Sequence, residues 1–169
     1  MNIIHTERLI LRPFHENDAK AMYNNWTWDD RVAKYCRWYP HENIEETEAY
    51  LKMCLNAEYS WAITLKEKDE PIGCIDVVGI SPGGVPEIGY VLMYDKWGKG
   101  IMTEAVEGVI KELFKCGFQK VSACHHVDNP ASGKVMQKCG MSYTRTCMAQ
   151  KKFGLDEQCE VSYYEISCG

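Results

Sequence analysis

The stretch best equipped for chemistry is Trp97-Gly98-Lys99-Gly100-Ile101-Met102-Thr103, between an expected strand over 87–93 and a periodic apolar stripe. Glycines at a helix entrance let backbone approach a ligand closely. The first amides of that helix lack intrahelical partners and lie at the positive end of its dipole. Together they form a site for an anion, most often phosphate, and Lys99 adds positive charge. The spacing is neither that of a P-loop, GxxxxGK[ST], nor that of a dinucleotide-binding turn, GxGxxG. A tight turn without a ligand would use the same glycines. Nine cysteines and the adjacent pair His125 and His126 raise the question of a metal. No zinc-type ligand spacing is present, and neighbouring residues on a helix or strand do not aim at one ion, so no metal is expected. Most of the cysteines are expected to be reduced and many buried, since the count is odd and no CxxC pair occurs.

These residues need a scaffold, and the chain alternates strand and helix, which implies an α/β or α+β class. Leu9 and Leu11 alternate through a first strand that Pro13 closes. A short helix is expected over 17–25, followed by an aromatic, acidic stretch over 26–40. Asn43 with Glu46 reads as an N-cap for a helix with the stripe Ile44, Thr47, Leu51, Cys54 and Leu55. Strands are expected over 60–65, 72–80 and 87–93, with a turn at Ser81-Pro82-Gly83-Gly84-Val85-Pro86. Ala105, Val106, Val109, Ile110, Leu113 and Phe114 define the strongest helix, which Gly117 ends. A strand over 121–124 follows, with His125 and His126 just past its end. Asn129 and Pro130 then cap and open a helix that Gly140 terminates. The tail reads as two strands joined through Phe153-Gly154-Leu155-Asp156.

The 169 residues fit one domain, 1–169, large enough for a sizeable core. Apolar residues make up 46% and charged residues 25%, a balance that argues against disorder. Acidic residues outnumber basic ones, 24 to 19, for a net charge of −5. Nucleic acid or an anionic membrane would call for a basic surface, so neither is an expected partner. No apolar run is long enough to cross a bilayer, and His5, Glu7 and Arg8 interrupt the place of a secretory signal. A cytoplasmic location is expected.

Four segments in order carry a resemblance. Thr6-Glu7-Arg8-Leu9-Ile10-Leu11-Arg12-Pro13 is similar to an opening strand, and Glu87-Ile88-Gly89-Tyr90-Val91-Leu92 to a central strand. Residues 97–105 are similar to an acyl-CoA motif, R/Q-x-x-G-x-G/A. Asn129-Pro130-Ala131-Ser132, with Val135, Lys138, Gly140 and Met141, is similar to an N-x-x-S … K-x-G-F segment. Over nearly its whole length the chain resembles the GCN5-related N-acetyltransferase (GNAT) superfamily, in its ribosomal-protein N-acetyltransferase (RimJ/RimL-type) branch. Trp97 stands at the R/Q position and Met102 where a small residue is usual.

The resemblance implies an acetyl-CoA-dependent transferase acting on a primary amine, either a protein N-terminus or a small molecule. The implied fold is a mixed, strongly bent sheet of about seven strands with helices on both faces. Backbone groups of Tyr90, Val91 and Leu92 would pair with the pantetheine arm of acetyl-CoA. Trp97, Gly98, Lys99, Gly100, Ile101, Met102 and Thr103 would cradle the pyrophosphate, and Asn129 would bond the pantetheine arm. The superfamily's general-acid Tyr is replaced by Met136, which leaves Ser132 as the hydroxyl at a matching position. A thiolate of pKa roughly 8 to 9 leaves readily, so little acid help is needed. Transfer requires a neutral amine and therefore a base, for which Glu87 is the first candidate and Glu160 and Asp128 are rivals. The resemblance lays the segment with Trp26, Trp28, Asp29, Asp30, Trp38 and Tyr39 beside the acceptor. Trp28, Asp29 and Asp30 could there receive an ammonium group; the plainer reading is a satellite core with capping aspartates. The second class of function is a non-catalytic acyl-CoA-binding regulatory module. Oligomeric state is not legible, and a homodimer stays open.

Overall fold

A computed structural model describes residues 2–152, 154 and 156–169. Two short strands, β1 (Ile4–His5) and β2 (Leu9–Arg12), lead into α1 (Ala19–Met22), which continues as a π turn over Tyr23–Thr27. Then come α2 (Asp30–Ala33), α3 (Ile44–Asn56), β3 (Ser60–Leu65), β4 (Lys68–Ile80), β5 (Pro86–Leu92) and α4 (Ile101–Lys115). The chain closes with β6 (Lys120–His126), α5 (Pro130–Lys138), β7 (Ser142–Gln150) and β8 (Gln158–Ser167). The sheet has eight strands rather than about seven, in the order β1-β2-β3-β4-β5-β6-β8-β7. The extra strand is the two-residue β1, too short to show a period.

The sheet is antiparallel except at β5 and β6, which run parallel because α4 carries the chain back between them. Alternation along the strands divides the core. Trp61, Ile63, Ile75, Ile88 and Leu92 face α4 and α5, while Ala62, Cys74 and Val91 face Phe14, Met22, Trp26 and Leu51 on the side of α1 and α3. Helix α4 forms as its stripe predicts, with Ala105, Val106, Val109 and Leu113 fully buried. Gly117, at φ 98°, and Gly140, at φ 80°, take the left-handed conformation that ends α4 and α5.

Asn43 caps α3 by accepting from the Glu46 amide at 3.1 Å. The α3 stripe narrows to Thr47, Leu51 and Cys54; Leu55 lies about 100° farther round than Cys54 and is exposed. The final hairpin, β7 and β8, runs longer than any other pairing, and two of its expected linking residues, Phe153 and Leu155, lie outside the described residues. His125 and His126 differ from expectation: they belong to β6, whose pairing with β8 extends to His126 opposite Val161. Among the described residues, no helix is long and apolar enough to cross a membrane.

Candidate active site

The site opens where two neighbouring strands part. β5 and β6 pair only through Glu87 with Ser122 and Ile88 with Ala123. Beyond Ile88, β5 stays on β4 as far as Leu92, while β6 continues along β8. Gly89, Tyr90, Val91 and Leu92 therefore have no ladder partner in β6, and a gap opens that another extended chain could fill.

At the end of β5 the backbone turns into α4 through two left-handed glycines, Gly98 at φ 72° and Gly100 at φ 73°. Gly100 is the N-cap of α4 and has no side chain to cap with, so the opening amides from Ile101 to Thr103 keep their orphan donors. The side chains of Ile101 and Met102 are buried in the core, so Met102 contributes its amide, not its bulk, to this cradle. Arg8 lies across the turn, donating from Nη1 to the Lys99 carbonyl at 2.9 Å and from Nε to Glu104 at 2.6 Å. Burial acts to raise the Glu104 carboxyl, but bonds from Thr6 and Arg8 hold it below its ordinary value. Lys99 is tied to the Asp95 carbonyl at 2.8 Å, so Arg8, with Lys99, supplies charge here. Arg8 was legible only as part of the opening strand. Trp97 donates its indole N–H to the Leu92 carbonyl at 2.8 Å. One lone pair of that carbonyl, expected to pair with pantetheine, is thus already engaged.

Two hydroxyls meet at the α5 end of the gap. Ser132 Oγ donates to Tyr90 Oη at 2.9 Å, and Tyr90 donates in turn to the Ser132 carbonyl at 3.0 Å. Burial pushes the Tyr90 phenol up, so it keeps its proton. Met136 is fully buried in the core. Asn129 precedes Pro130 but forms no cap bond, because its ψ of 68° lies outside the extended region from which a cap side chain reaches back. Its carboxamide is left for other partners.

On the opposite face of the sheet, Glu87 accepts from Cys124 Sγ at 3.4 Å. Burial, reinforced by Glu87, pushes the Cys124 thiol up to about 12, so it remains a thiol and a donor. Arg37 approaches the same sulfur at 3.8 Å and hydrogen-bonds Tyr163, two contacts between residues far apart in sequence. The phenol of Tyr163 is raised by burial, with Glu87 and Cys124 adding to it. Glu160 is exposed on the other face of β8 from Tyr163, and Asp128 is exposed in the turn before Asn129. His125 packs against Gly133 and stacks beside Tyr164 with centroids 5.7 Å apart, and His126 accepts from the Asp128 amide. Both have structural work, and among the described residues no group of three His, Cys, Asp or Glu side chains converges on a metal position.

In the segment weighed as an acceptor platform, Asp29 is engaged within the fold. Asp29 is only 4% exposed and caps α2, accepting from the Arg31 amide at 2.9 Å and pairing with the Arg31 guanidinium at 2.6 Å. Asp30 begins α2 and is exposed. Trp28 is exposed but bonded to the Asn24 carbonyl, and Trp26 belongs to the smaller core. Arg31 also stacks over the Tyr94 ring at 3.9 Å, and Tyr94 adjoins Trp97. Asp29 thus has a capping role in the fold, while Asp30 and Trp28 lie at the surface.

Residues 8–142 match the family model described as an acetyltransferase (GNAT) domain. The chain belongs to the GNAT acetyltransferase family. It is 30% identical over 148 residues to the N-acetyltransferase YoaA of Bacillus subtilis strain 168, covering 82% of this chain and 81% of YoaA. It is 28% identical to the ribosomal-protein-serine acetyltransferase of Escherichia coli K12, over 94% and 92% of the two chains. A GNAT acetyltransferase structure from Bacillus anthracis superposes with a TM-score of 0.85 at 26% identity, covering 98% of both chains. RimL, an L7/L12 α-N-protein acetyltransferase solved with coenzyme A, shares the fold at a TM-score of 0.82 and 21% identity, over 98% of each chain. In this GNAT domain the glycine turn follows the strand that parts from its neighbour.

Proposed function

We propose that the chain transfers an acetyl group from acetyl-CoA to a primary amine by direct transfer. The observation that carries this reading is the gap between β5 and β6, which leads to the amide-lined, left-handed turn at Gly98 and Gly100. An extended pantetheine arm suits the open edge of Gly89–Leu92, and a pyrophosphate suits the amides from Gly98 to Thr103 with Arg8 and Lys99. Asn129, free of a capping bond, is a fitting partner for the pantetheine amides.

Acetyl-CoA supplies the acyl thioester and a thiol leaving group. Glu87 takes the proton that the amine nitrogen gives up as that nitrogen bonds the acyl carbon and the carbon–sulfur bond breaks, either directly or through one water. Cys124 donates to this carboxylate, and Arg37 acts on it electrostatically from a greater distance. Ser132 stabilises the departing sulfur when its hydroxyl proton, which the structure shows given to Tyr90 Oη, turns to that sulfur, and Tyr90 fixes where the hydroxyl sits. Relatives named N-acetyltransferases and a ribosomal-protein-serine acetyltransferase support an amine acceptor, with a protein N-terminus as one class. The nine cysteines, all unpaired, fit a reducing, cytoplasmic setting.

Acetyl-CoA should raise the melting temperature of the wild-type chain saturably. Gly100→Val strains a φ of 73° at the cradle, and its β-carbon would face Arg8 Nη2 at 3.5 Å. That variant should fold and lose the shift. No shift for the wild type at millimolar acetyl-CoA would overturn the reading.

A further inference from the structure

The chain has five arginines and a net charge of −5. Three are paired with carboxylates: Arg8 with Glu104, Arg12 with Asp18 and Asp69, and Arg31 with Asp29. Among the described residues, the other two, Arg37 and Arg145, form no ion pair with a carboxylate. Both flank the same side chain, Tyr163. Arg37 hydrogen-bonds its hydroxyl, and Arg145 lies over its ring at 4.3 Å from the centroid. Tyr163 is the register partner of both Cys124 and Arg145, which places the pair on the face of the sheet that carries Glu87.

In an acidic protein, two guanidiniums gathered around one ring without a carboxylate between them repel each other, and Arg37 is in addition partly withdrawn from water. A desolvated charge is costly until something pairs with it. Its polar contacts include a thiol at 3.8 Å and a phenol, both weak partners for a guanidinium. The neighbouring cation Lys152 differs, because its three protons go to the carbonyls of Ala33, Cys36 and Trp38. Glu87 attracts Arg37 from beyond ion-pair distance and accepts from Cys124, while the other acids are arranged elsewhere: Asp128 lies by His126, Glu165 by Lys120, and Glu157 by Lys151.

We propose that the acceptor amine carries an anionic group of its own, a carboxylate or phosphate, held by Arg37 and Arg145 while its amine reaches Glu87. Planar guanidiniums bind both groups through paired N–H donors. This deepens the acetyl-transfer reading and rests on it. It also replaces the expectation that Asp29 and Asp30 receive the acceptor's ammonium, since Asp29 is closed off by Arg31.

The test compares two short amidated peptides with N-terminal serine, one with glutamate at its second position and one with glutamine, beside alanine and alaninamide as a small-molecule pair. The acid-bearing member of at least one pair should show kcat/KM at least about tenfold higher, with an advantage that shrinks as salt rises. Which pair responds tells a peptide acid from a small amino acid. Arg145→Gln should bring the ratio within the responding pair close to one, and Arg145→Glu should invert it. Because the readout is a ratio, a general loss of rate does not imitate it. Equal use of acidic and neutral acceptors by the wild type, or a preference that survives Arg145→Gln, overturns the inference and leaves acetyl transfer standing. Failure to acetylate any of the four, with acetyl-CoA still raising the melting temperature, overturns the transfer reading along with it.

Discussion

The indole of Trp97 donates to the carbonyl of Leu92 across 2.8 Å and so ties the glycine turn back to the end of the strand it leaves. The family motif places Arg or Gln at this position; here an aromatic residue fixes the turn from the protein side, with Tyr94 and Arg31 stacked behind it. Trp97→Phe keeps the ring and removes the bond. A hydrogen bond of about 0.5–1.5 kcal/mol corresponds to a roughly 2- to 12-fold weaker Kd for acetyl-CoA. Isothermal titration should show that loss with kcat unchanged; an unaltered Kd would mean that the turn holds its shape without the indole.

Glu87→Gln keeps the size of the side chain and its bond to Cys124 while removing the base. kcat should fall about 10²–10⁴-fold with little change in acetyl-CoA affinity. The pH–rate profile of the mutant should differ in shape from that of the wild type. A mutant profile identical in shape to that of the wild type would move the base elsewhere.

Ser132 and Tyr90 should behave as a unit. Ser132→Ala should lower kcat modestly, since a thiolate of pKa about 8 to 9 leaves without strong help. Tyr90→Phe removes only the hydroxyl that fixes Ser132. The double variant should therefore be no slower than Ser132→Ala alone. Fully multiplicative losses would show that the two hydroxyls act independently.

Asp29→Asn should cost stability rather than acceptor binding. The carboxylate caps α2 and pairs with Arg31; Asn can still accept from the Arg31 amide, as Asn43 does in α3, so the variant loses the ion pair with the Arg31 guanidinium. Its bonds to Arg31 hold the carboxyl below its ordinary value against the opposing effect of burial. A depressed carboxyl stabilises the fold above the ordinary range near pH 4 and loses that contribution as the pH falls through the lowered value. The variant should have a lower melting temperature at neutral pH, and the gap to the wild type should close in acid. A raised amine KM at unchanged stability would return this segment to the acceptor site.

Local signals in the chain foretold much of this architecture. The cap at Asn43, the stops at Gly117 and Gly140 and the stripe of α4 each depend on residues within two turns of one another, so spacing alone exposes them. The divergence of β5 from β6 rested on the resemblance, because no local pattern records where a strand loses its neighbour. The contacts around the candidate site are remote in sequence: Arg37 meets Cys124 and Tyr163, and Tyr90 meets Ser132, each brought together by the register of the sheet and the entry of α5. Asp29 drew both a functional and a capping reading because its acid and aromatic surroundings are visible in sequence, while the path of its carboxylate to Arg31 is set by the short helix α2. At Asn129 the sequence showed a cap, and the observed ψ removed it.

The most direct test of the account is release of free CoA from acetyl-CoA, followed together with the N-acetylated product across a panel of primary amines. The account predicts that CoA appears only when an amine is present, one for each amine acetylated. It also predicts that Glu87→Gln slows both signals equally. A wild-type chain that binds acetyl-CoA yet releases no CoA above spontaneous hydrolysis with any amine would contradict acetyl transfer and would make the gap between β5 and β6 a binding site without catalysis.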